Sequence, residues 1–174
     1  MDTFRLRVFQ RQLTDQCHFL IAGAQAVNAG LKSGNHMQIW LGIQNILTAG
    51  ANVSKMLWGS KGKQAEARRC LRESISVLDD SPLRDVTMRN HFEHMDERLD
   101  RWWDQSKHHN HVDQVVGGRE AIDGVAPIDT FRWFDPTNGD LIFWGESFNL
   151  QVLVNEVERI LPLLQNEARK PHWD

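Results

Sequence analysis

Apolar residues at every third or fourth position run through the first 31 residues, and this spacing most constrains the fold. The series consists of Leu6, Phe9, Leu13, Cys17, Leu20, Ala24, Val27 and Leu31. Because an α-helix has about 3.6 residues per turn, these side chains form one stripe along about seven turns. The spacing predicts a long amphipathic helix that buries this stripe against other helices. Gly30 and the SGN sequence at 33–35 predict its end.

Three further helices are predicted before residue 106. The second begins near Asn35, a favoured N-cap residue. Its buried face consists of Ile39, Trp40, Leu41, Ile43, Ile46, Leu47, Gly50, Val53 and Leu57. After a loop at 58–63, a third helix is predicted from about Gln64 to Leu78. Its inward residues are Ala67, Leu71, Ile75 and Leu78. Ser81 and Pro82 match the start of a fourth helix that continues to about Gln105.

The periodicity is lost over residues 106–128, which are predicted to form a loop, and it then changes. The sequences TFRWFD and DLIFWGE flank the turn-forming PTNG and predict a β-hairpin at about 129–146. The aromatic residues of the hairpin are expected to be buried, with base stacking as the alternative. They are Phe131, Trp133, Phe134, Phe143 and Trp144. A last helix from about Leu150 is predicted to end at the RKP sequence, residues 169–171.

These elements predict a mainly all-α protein, a bundle of about five helices with one β-hairpin inserted before the last helix. No change in composition divides the 174 residues, so a single domain is expected over residues 1–174. Cys17 and Cys70 lack metal-binding spacing and are expected to be core residues. The chain has no signal-peptide pattern and no run of about 18 apolar residues, so we expect a cytoplasmic protein without membrane association.

The fourth predicted helix carries the sequence MRNHFEHMDERLDRWW at 88–103. On a regular helix one face is apolar, with Met88, Phe92, Met95, Leu99 and Trp102. The opposite face is polar, with Asn90, Glu93, His94, Glu97 and Arg101. Pairs of Arg89 with Glu93 and of Glu97 with Arg101 are spaced for surface ion pairs. An ordinary solvated face would explain this pattern.

The same stretch also holds the residue types needed for metal-free cleavage of a phosphodiester. Histidine exchanges protons near neutral pH, so His94 is a candidate general acid or base. Arg89 is a candidate for holding a phosphate and stabilising its developing charge, with Asn90 in support. A second copy related by a two-fold axis would bring two such sets together. Glu93 adds negative charge close to this position, which opposes phosphate binding.

The sequence RNHFEH, from Arg89 to His94, resembles the Arg–polar–x3–His motif of the HEPN superfamily. The resemblance implies an all-α fold and a homodimer whose motif helices face each other. It implies a metal-independent endoribonuclease that cleaves RNA as a toxin-type defence effector, with Arg89, Asn90 and His94 as the catalytic set. It also implies an antitoxin or a nucleotidyltransferase-type partner. Some members have lost catalysis, so a catalytically inactive dimer that binds a protein or nucleotide is the alternative.

Two other clusters are weaker candidates. A basic run is a candidate RNA-binding patch, with a solvated surface as the alternative. It consists of Lys61, Lys63, Arg68, Arg69 and Arg72. A local patch of this kind would be needed, because the net charge is −3. His91 and His94 have a spacing that suits a shared metal, but the Glu-x-x-His pair of di-iron bundles is missing. We expect no metal site and no cofactor.

Overall fold

The computed structural model describes residues 1–172, and this part of the chain forms two compact units. The first comprises Met1–Val86 and the chain from Val152, and the second comprises Thr87–Gln151. The α-helices in residues 1–172 are α1 (Thr3–Ser33), α2 (His36–Trp58), α3 (Arg69–Ser74), α4 (Thr87–Glu93), α5 (Met95–Gln105) and α6 (Leu150–Ala168). The strands are β1 (Val115–Val116), β2 (Trp133–Asp135), β3 (Asp140–Phe143) and β4 (Glu146–Asn149). The mainly helical class is confirmed, whereas a single domain stays a prediction.

The first unit is built on a close antiparallel contact between α1 and α2. A Cβ atom on Gly42 would lie 2.6 Å from the carbonyl oxygen of Gly23, and one on Gly30 would lie 2.9 Å from the backbone nitrogen of Ile39. Glycine is therefore needed where the two backbones approach each other. The predicted end of the first helix at the SGN sequence, residues 33–35, is confirmed, whereas Gly30 lies inside the helix. The helix continues to Ser33, and Gly34, with φ of 68°, caps it in the left-handed conformation.

The core of the first unit follows the predicted helical stripes with local exceptions. Leu13, Cys17 and Leu20 are fully buried, whereas Cys70 is only half-buried. The α1 stripe continues towards the N-terminus through Arg7 and Gln10, which are buried and hydrogen-bonded to each other at 2.7 Å. Their burial is tolerated because both polar side chains have partners.

Three predicted inward residues of this unit are exposed. Leu41 is 66% exposed and Leu78 is 68% exposed, and Ala67 is also exposed. Leu78 and Ala67 lie outside α3, because α3 spans only Arg69–Ser74 and is much shorter than the predicted third helix. Within residues 1–172, no helix combines the length and the apolar character that a membrane crossing requires.

The second unit contains a four-stranded mixed sheet in the order β1-β2-β3-β4, which is larger than the predicted hairpin. β2 and β3 form that hairpin, with Trp133 opposite Ile142. β1 adds a parallel strand beside β2, and β4 adds an antiparallel strand beside β3. The expected burial of the rings is confirmed for Phe131, Trp133, Phe134 and Phe143, while Trp144 is half-buried.

The predicted fourth helix is divided in the structure. Its first part is a short 3-10 turn at Pro82–Arg84, and α4 and α5 follow with a break at His94. His94 has φ of −105° and ψ of 41°, outside the helical range. Neither proline nor glycine occurs at this break, so local sequence signals did not indicate it. One residue of the predicted apolar face, Leu99 on α5, is exposed.

Gly42→Ala is expected to reduce the free energy of unfolding by about 1–3 kcal/mol, because the new methyl group forces α1 and α2 apart. Gly50→Ala in the same helix is the matched control, since its Cβ would first meet the movable end of the Leu153 side chain at 3.0 Å. Both changes raise helix propensity alike. Urea unfolding of the two variants therefore isolates the backbone contact, and equal stabilities would contradict its importance.

In the second unit, Asp113 pairs with Arg132. Arg132 donates from its backbone nitrogen at 3.1 Å and from Nε at 2.8 Å to one carboxylate oxygen, and Nη2 pairs with the other. Burial alone would raise the pKa of Asp113, but the hydrogen bonds and charge of Arg132 outweigh it and lower that pKa. The pair therefore stabilises the folded chain more when Asp113 is ionised.

Asp113→Asn is expected to destabilise the protein most at neutral pH. A carboxyl group whose pKa is lowered by folding stabilises the folded chain fully at pH values above its usual pKa, near 3.8 here. This stabilisation is lost as the pH falls through the lower pKa of the folded state. The stability gap between wild type and variant should therefore narrow below about pH 3.8. Urea unfolding at several pH values measures this gap, with the exposed Asp123→Asn as the charge-matched control. A gap that is constant with pH would contradict the expectation.

Candidate functional site

Arg89 lies near the start of α4, and its guanidinium group is largely buried. The side chain is 16% exposed. Nη1 donates a hydrogen bond to Asn90 Oδ1 at 3.1 Å, and Nη2 forms an ion pair with Glu93 Oε2. In the described part of the chain, residues 1–172, Arg89 Nε has no hydrogen-bond partner, although that atom is buried. Asn90 and Glu93 therefore hold the group in place through Nη1 and Nη2 rather than through Nε.

The predicted pairing of Arg89 with Glu93 is confirmed, and that of Glu97 with Arg101 is replaced by other contacts. Glu97 lies 3.4 Å from both His94 Nδ1 and Arg98 Nη1. Arg101 donates to Gln105 Oε1 at 3.2 Å, and its guanidinium lies 5.2 Å from the ring centre of Trp144. Glu97 and Arg101 both lie on α5, so their helical spacing alone did not decide which partners they contact.

His94 occupies the junction between α4 and α5, and its imidazole is 49% exposed. Its backbone nitrogen donates to Asn90 O at 3.0 Å, and its carbonyl accepts from the nitrogen of Arg98 at 3.1 Å. The hydrogen-bonded path thus continues through the junction although His94 leaves the helical conformation. An imidazole with this exposure is accessible to a substrate and to solvent protons.

A residue that sequence analysis did not select, His91, organises the region around this junction. Arg98 Nε donates to His91 Nδ1 at 3.1 Å, so a side chain of α5 is bonded to one of α4. Because a guanidinium has no acceptor, His91 Nδ1 must be unprotonated, and Nε2 donates to Glu146 Oε2 at 3.1 Å. The ring also stacks on Phe143, with 4.5 Å between ring centres. His91 therefore joins α4, α5 and two strands.

The sequence provided little signal for this network. Glu146 lies 55 residues after His91, and no local pattern links the two. On a regular helix His91 would lie near the edge of the apolar face, which agrees with its burial. A second network holds the end of α5, where Asp129 accepts hydrogen bonds from Trp102 Nε1 at 2.9 Å and from Ser106 Oγ at 2.5 Å.

Two of the three histidines in the loop at 106–128, His109 and His111, contact aromatic rings. His109 packs on Trp103 with 4.4 Å between ring centres, and His111 packs on Phe131 with 4.6 Å. Across residues 1–172, no three His, Cys, Asp or Glu side chains are grouped as a metal site requires.

Much of the basic run at 61–72, which belongs to the first unit, has a structural role. Arg72 is buried and donates to the carbonyl oxygens of Leu57 at 2.9 Å and Ala65 at 2.7 Å. Arg68 donates to Met56 O at 3.0 Å. These arginines thus bind carbonyl groups in the last turn of α2, which have no partner within the helix.

The other three basic residues of the run are exposed. Arg69 pairs with Glu66 at 2.6 Å. Lys61 and Lys63 lie in the loop after α2 with exposed side chains. The charge available to an RNA in this run therefore comes mainly from these two lysines.

Comparison of the chain with protein-family models, with characterised proteins and with solved structures finds no match.

Arg72→Ala is expected to reduce the free energy of unfolding by about 1–3 kcal/mol, because it removes the donor to the carbonyl of Leu57 and leaves that of Ala65 with only the backbone nitrogen of Arg68. Lys63→Ala, which removes the same charge from an exposed position, should change it by less than about 0.5 kcal/mol. Thermal or urea unfolding of the two variants measures the difference. Equal losses would argue against the capping role of Arg72.

Proposed function

We propose that this chain is a HEPN-like, metal-independent endoribonuclease that cleaves RNA as a homodimer. The observation that carries the proposal is the position of His94, whose half-exposed imidazole lies at a helix junction one turn after Asn90. Asn90 in turn orients Arg89 through a hydrogen bond. His94 supplies proton transfer, and Arg89 supplies two or more N–H donors for a phosphate. The resemblance of RNHFEH to the HEPN motif provides the substrate class and the expectation of a toxin-type effector.

The proposed reaction needs one base and one acid. His94 of one copy takes the proton of a ribose 2′-hydroxyl, and the 2′-oxygen attacks the adjacent phosphorus. The bond from phosphorus to the 5′-oxygen breaks, and that oxygen takes a proton from the protonated His94 of the second copy. Arg89 stabilises the negative charge on the phosphorane. The products are a 2′,3′-cyclic phosphate and a free 5′-hydroxyl group.

A second candidate function is a catalytically inactive helical dimer that binds a protein or a nucleotide. The ion pair between Glu93 and Arg89 favours it, because a neutralised guanidinium attracts a phosphate less strongly. An antitoxin or a nucleotidyltransferase-type protein is the partner expected from the HEPN resemblance.

His94→Ala is expected to reduce RNA cleavage in the presence of EDTA by about 10²–10⁴-fold, the usual contribution of a positioned acid or base. The assay uses a labelled oligoribonucleotide and identifies the cyclic phosphate at the new 3′ end. His108→Ala, which removes an exposed loop histidine, is the control and should cleave like wild type.

Three results would overturn the nuclease proposal. Equal cleavage by wild type and His94→Ala would indicate a contaminating nuclease. A lack of cleavage by a preparation that sedimentation shows to be dimeric would favour the binding module. A monomer at all concentrations would contradict the dimer that both proposals require.

A further inference from the structure

The hydrogen bonding of Arg89 is incomplete on one edge of its guanidinium group. Nε and Nη2 lie side by side on that edge and point in the same direction, so together they match two oxygens of one oxyanion. Glu93 places a single oxygen on Nη2. Within residues 1–172, the buried Nε has no acceptor. Glu93 thus fills half of an edge that is suited to a bidentate anion.

An unpartnered donor of this kind is unfavourable. A buried N–H group without an acceptor destabilises the folded chain relative to a satisfied one, and more strongly when the group is charged. The other edge of the group is already oriented, because Nη1 donates to Asn90 Oδ1. A phosphate that offered two oxygens to Nε and Nη2 would satisfy both donors. The carboxylate of Glu93 would have to leave for it to bind.

Glu93 is free to make that movement. Its side chain is 35% exposed, whereas that of Arg89 is 16% exposed. Rotation of Glu93 towards solvent would return its carboxylate to water. Hydration would then replace the ion pair for Glu93, so little free energy is lost for this residue. Arg89 would stay in place, since Asn90 still holds Nη1.

We propose that Glu93 is an internal competitor for the phosphate that Arg89 binds, and that RNA displaces Glu93 from the Nε–Nη2 edge. This inference rests on the proposed function, because it identifies the ligand of Arg89 as a phosphodiester. Its consequence is that the resting site is electrically balanced and binds single anions weakly. Only a ligand with additional contacts to the protein displaces the carboxylate efficiently.

The test is a binding measurement with a probe that cannot be cleaved, a fluorescein-labelled oligoribonucleotide with 2′-O-methyl riboses. Glu93→Gln keeps the size of the side chain and removes its charge, so we expect the probe to bind about three- to tenfold more tightly. Asp96→Asn is the matched control, because Asp96 is an exposed carboxylate on the first turn of α5. It should change the affinity by less than about twofold.

A double-variant comparison links the effect to Arg89. In an Arg89→Gln background, Glu93→Gln should no longer tighten binding, because the competing group has lost its target. Thermal unfolding of each variant checks that it is folded. If Arg89→Gln does not fold, Arg89→Lys replaces it, and the gain from Glu93→Gln should shrink because lysine lacks the two-donor edge.

Three results would overturn this inference. They are equal tightening by Glu93→Gln and Asp96→Asn, no tightening by either, and no measurable binding by any form. Because the probe is not cleaved, these outcomes are separate from those of the nuclease assay. Selective tightening by Glu93→Gln without His94-dependent cleavage would support an anion site at Arg89 and contradict the nuclease proposal. His94-dependent cleavage without selective tightening would support the nuclease proposal and contradict the role of Glu93 as a competitor.

Discussion

The contact on which the second unit depends most is the buried imidazole of His91 between Arg98 and Glu146. One nitrogen accepts from α5 and the other donates to β4, so a single ring joins elements that are far apart in sequence. Burial of an imidazole is tolerated here because both nitrogens have partners and its face lies on Phe143. In the sequence, the junction at His94 lies between His91 on α4 and Arg98 on α5, which this hydrogen bond joins. The hydrogen bond between Arg98 and His91 therefore helps to fix how α4 and α5 meet at His94, and with it the exposure of the His94 side chain.

The arginines of this chain show that formal charge in a sequence differs from charge that is available to a ligand. Arg72 and Arg68 bind carbonyl groups at the end of α2. Arg89 is balanced by Glu93, and Arg98 is bonded to His91. Each of these groups lowers the energy of the fold by satisfying an acceptor, and each is less able to attract RNA as a result. Under the proposed function, binding of a substrate requires one of these internal pairs to be exchanged for a phosphate.

The accuracy of the sequence predictions follows the range of the interactions involved. α1, α2 and α6 were predicted because their apolar stripes extend over many turns, and a long stripe is a strong local signal. The hairpin of β2 and β3 was predicted from its turn sequence. β1 and β4 were missed, since strands of two and four residues are too short for alternation to be recognised. In the candidate site, the pair of Arg89 and Glu93 was predicted from its spacing on one helix.

The sequence by itself determined the mainly helical class, the long first helices, the central hairpin and the proximity of Arg89, Asn90 and Glu93. These features follow from periodicity and from contacts within one turn of a helix, which the order of residues contains directly. Only the tertiary structure decided the break at His94, the burial of His91 and the use of Arg72 as a cap. Those features depend on partners that the chain brings in from distant positions, such as Glu146 and the last turn of α2. Such partners leave no pattern in the neighbouring residues, because packing and hydrogen-bond satisfaction select them after the local elements have formed.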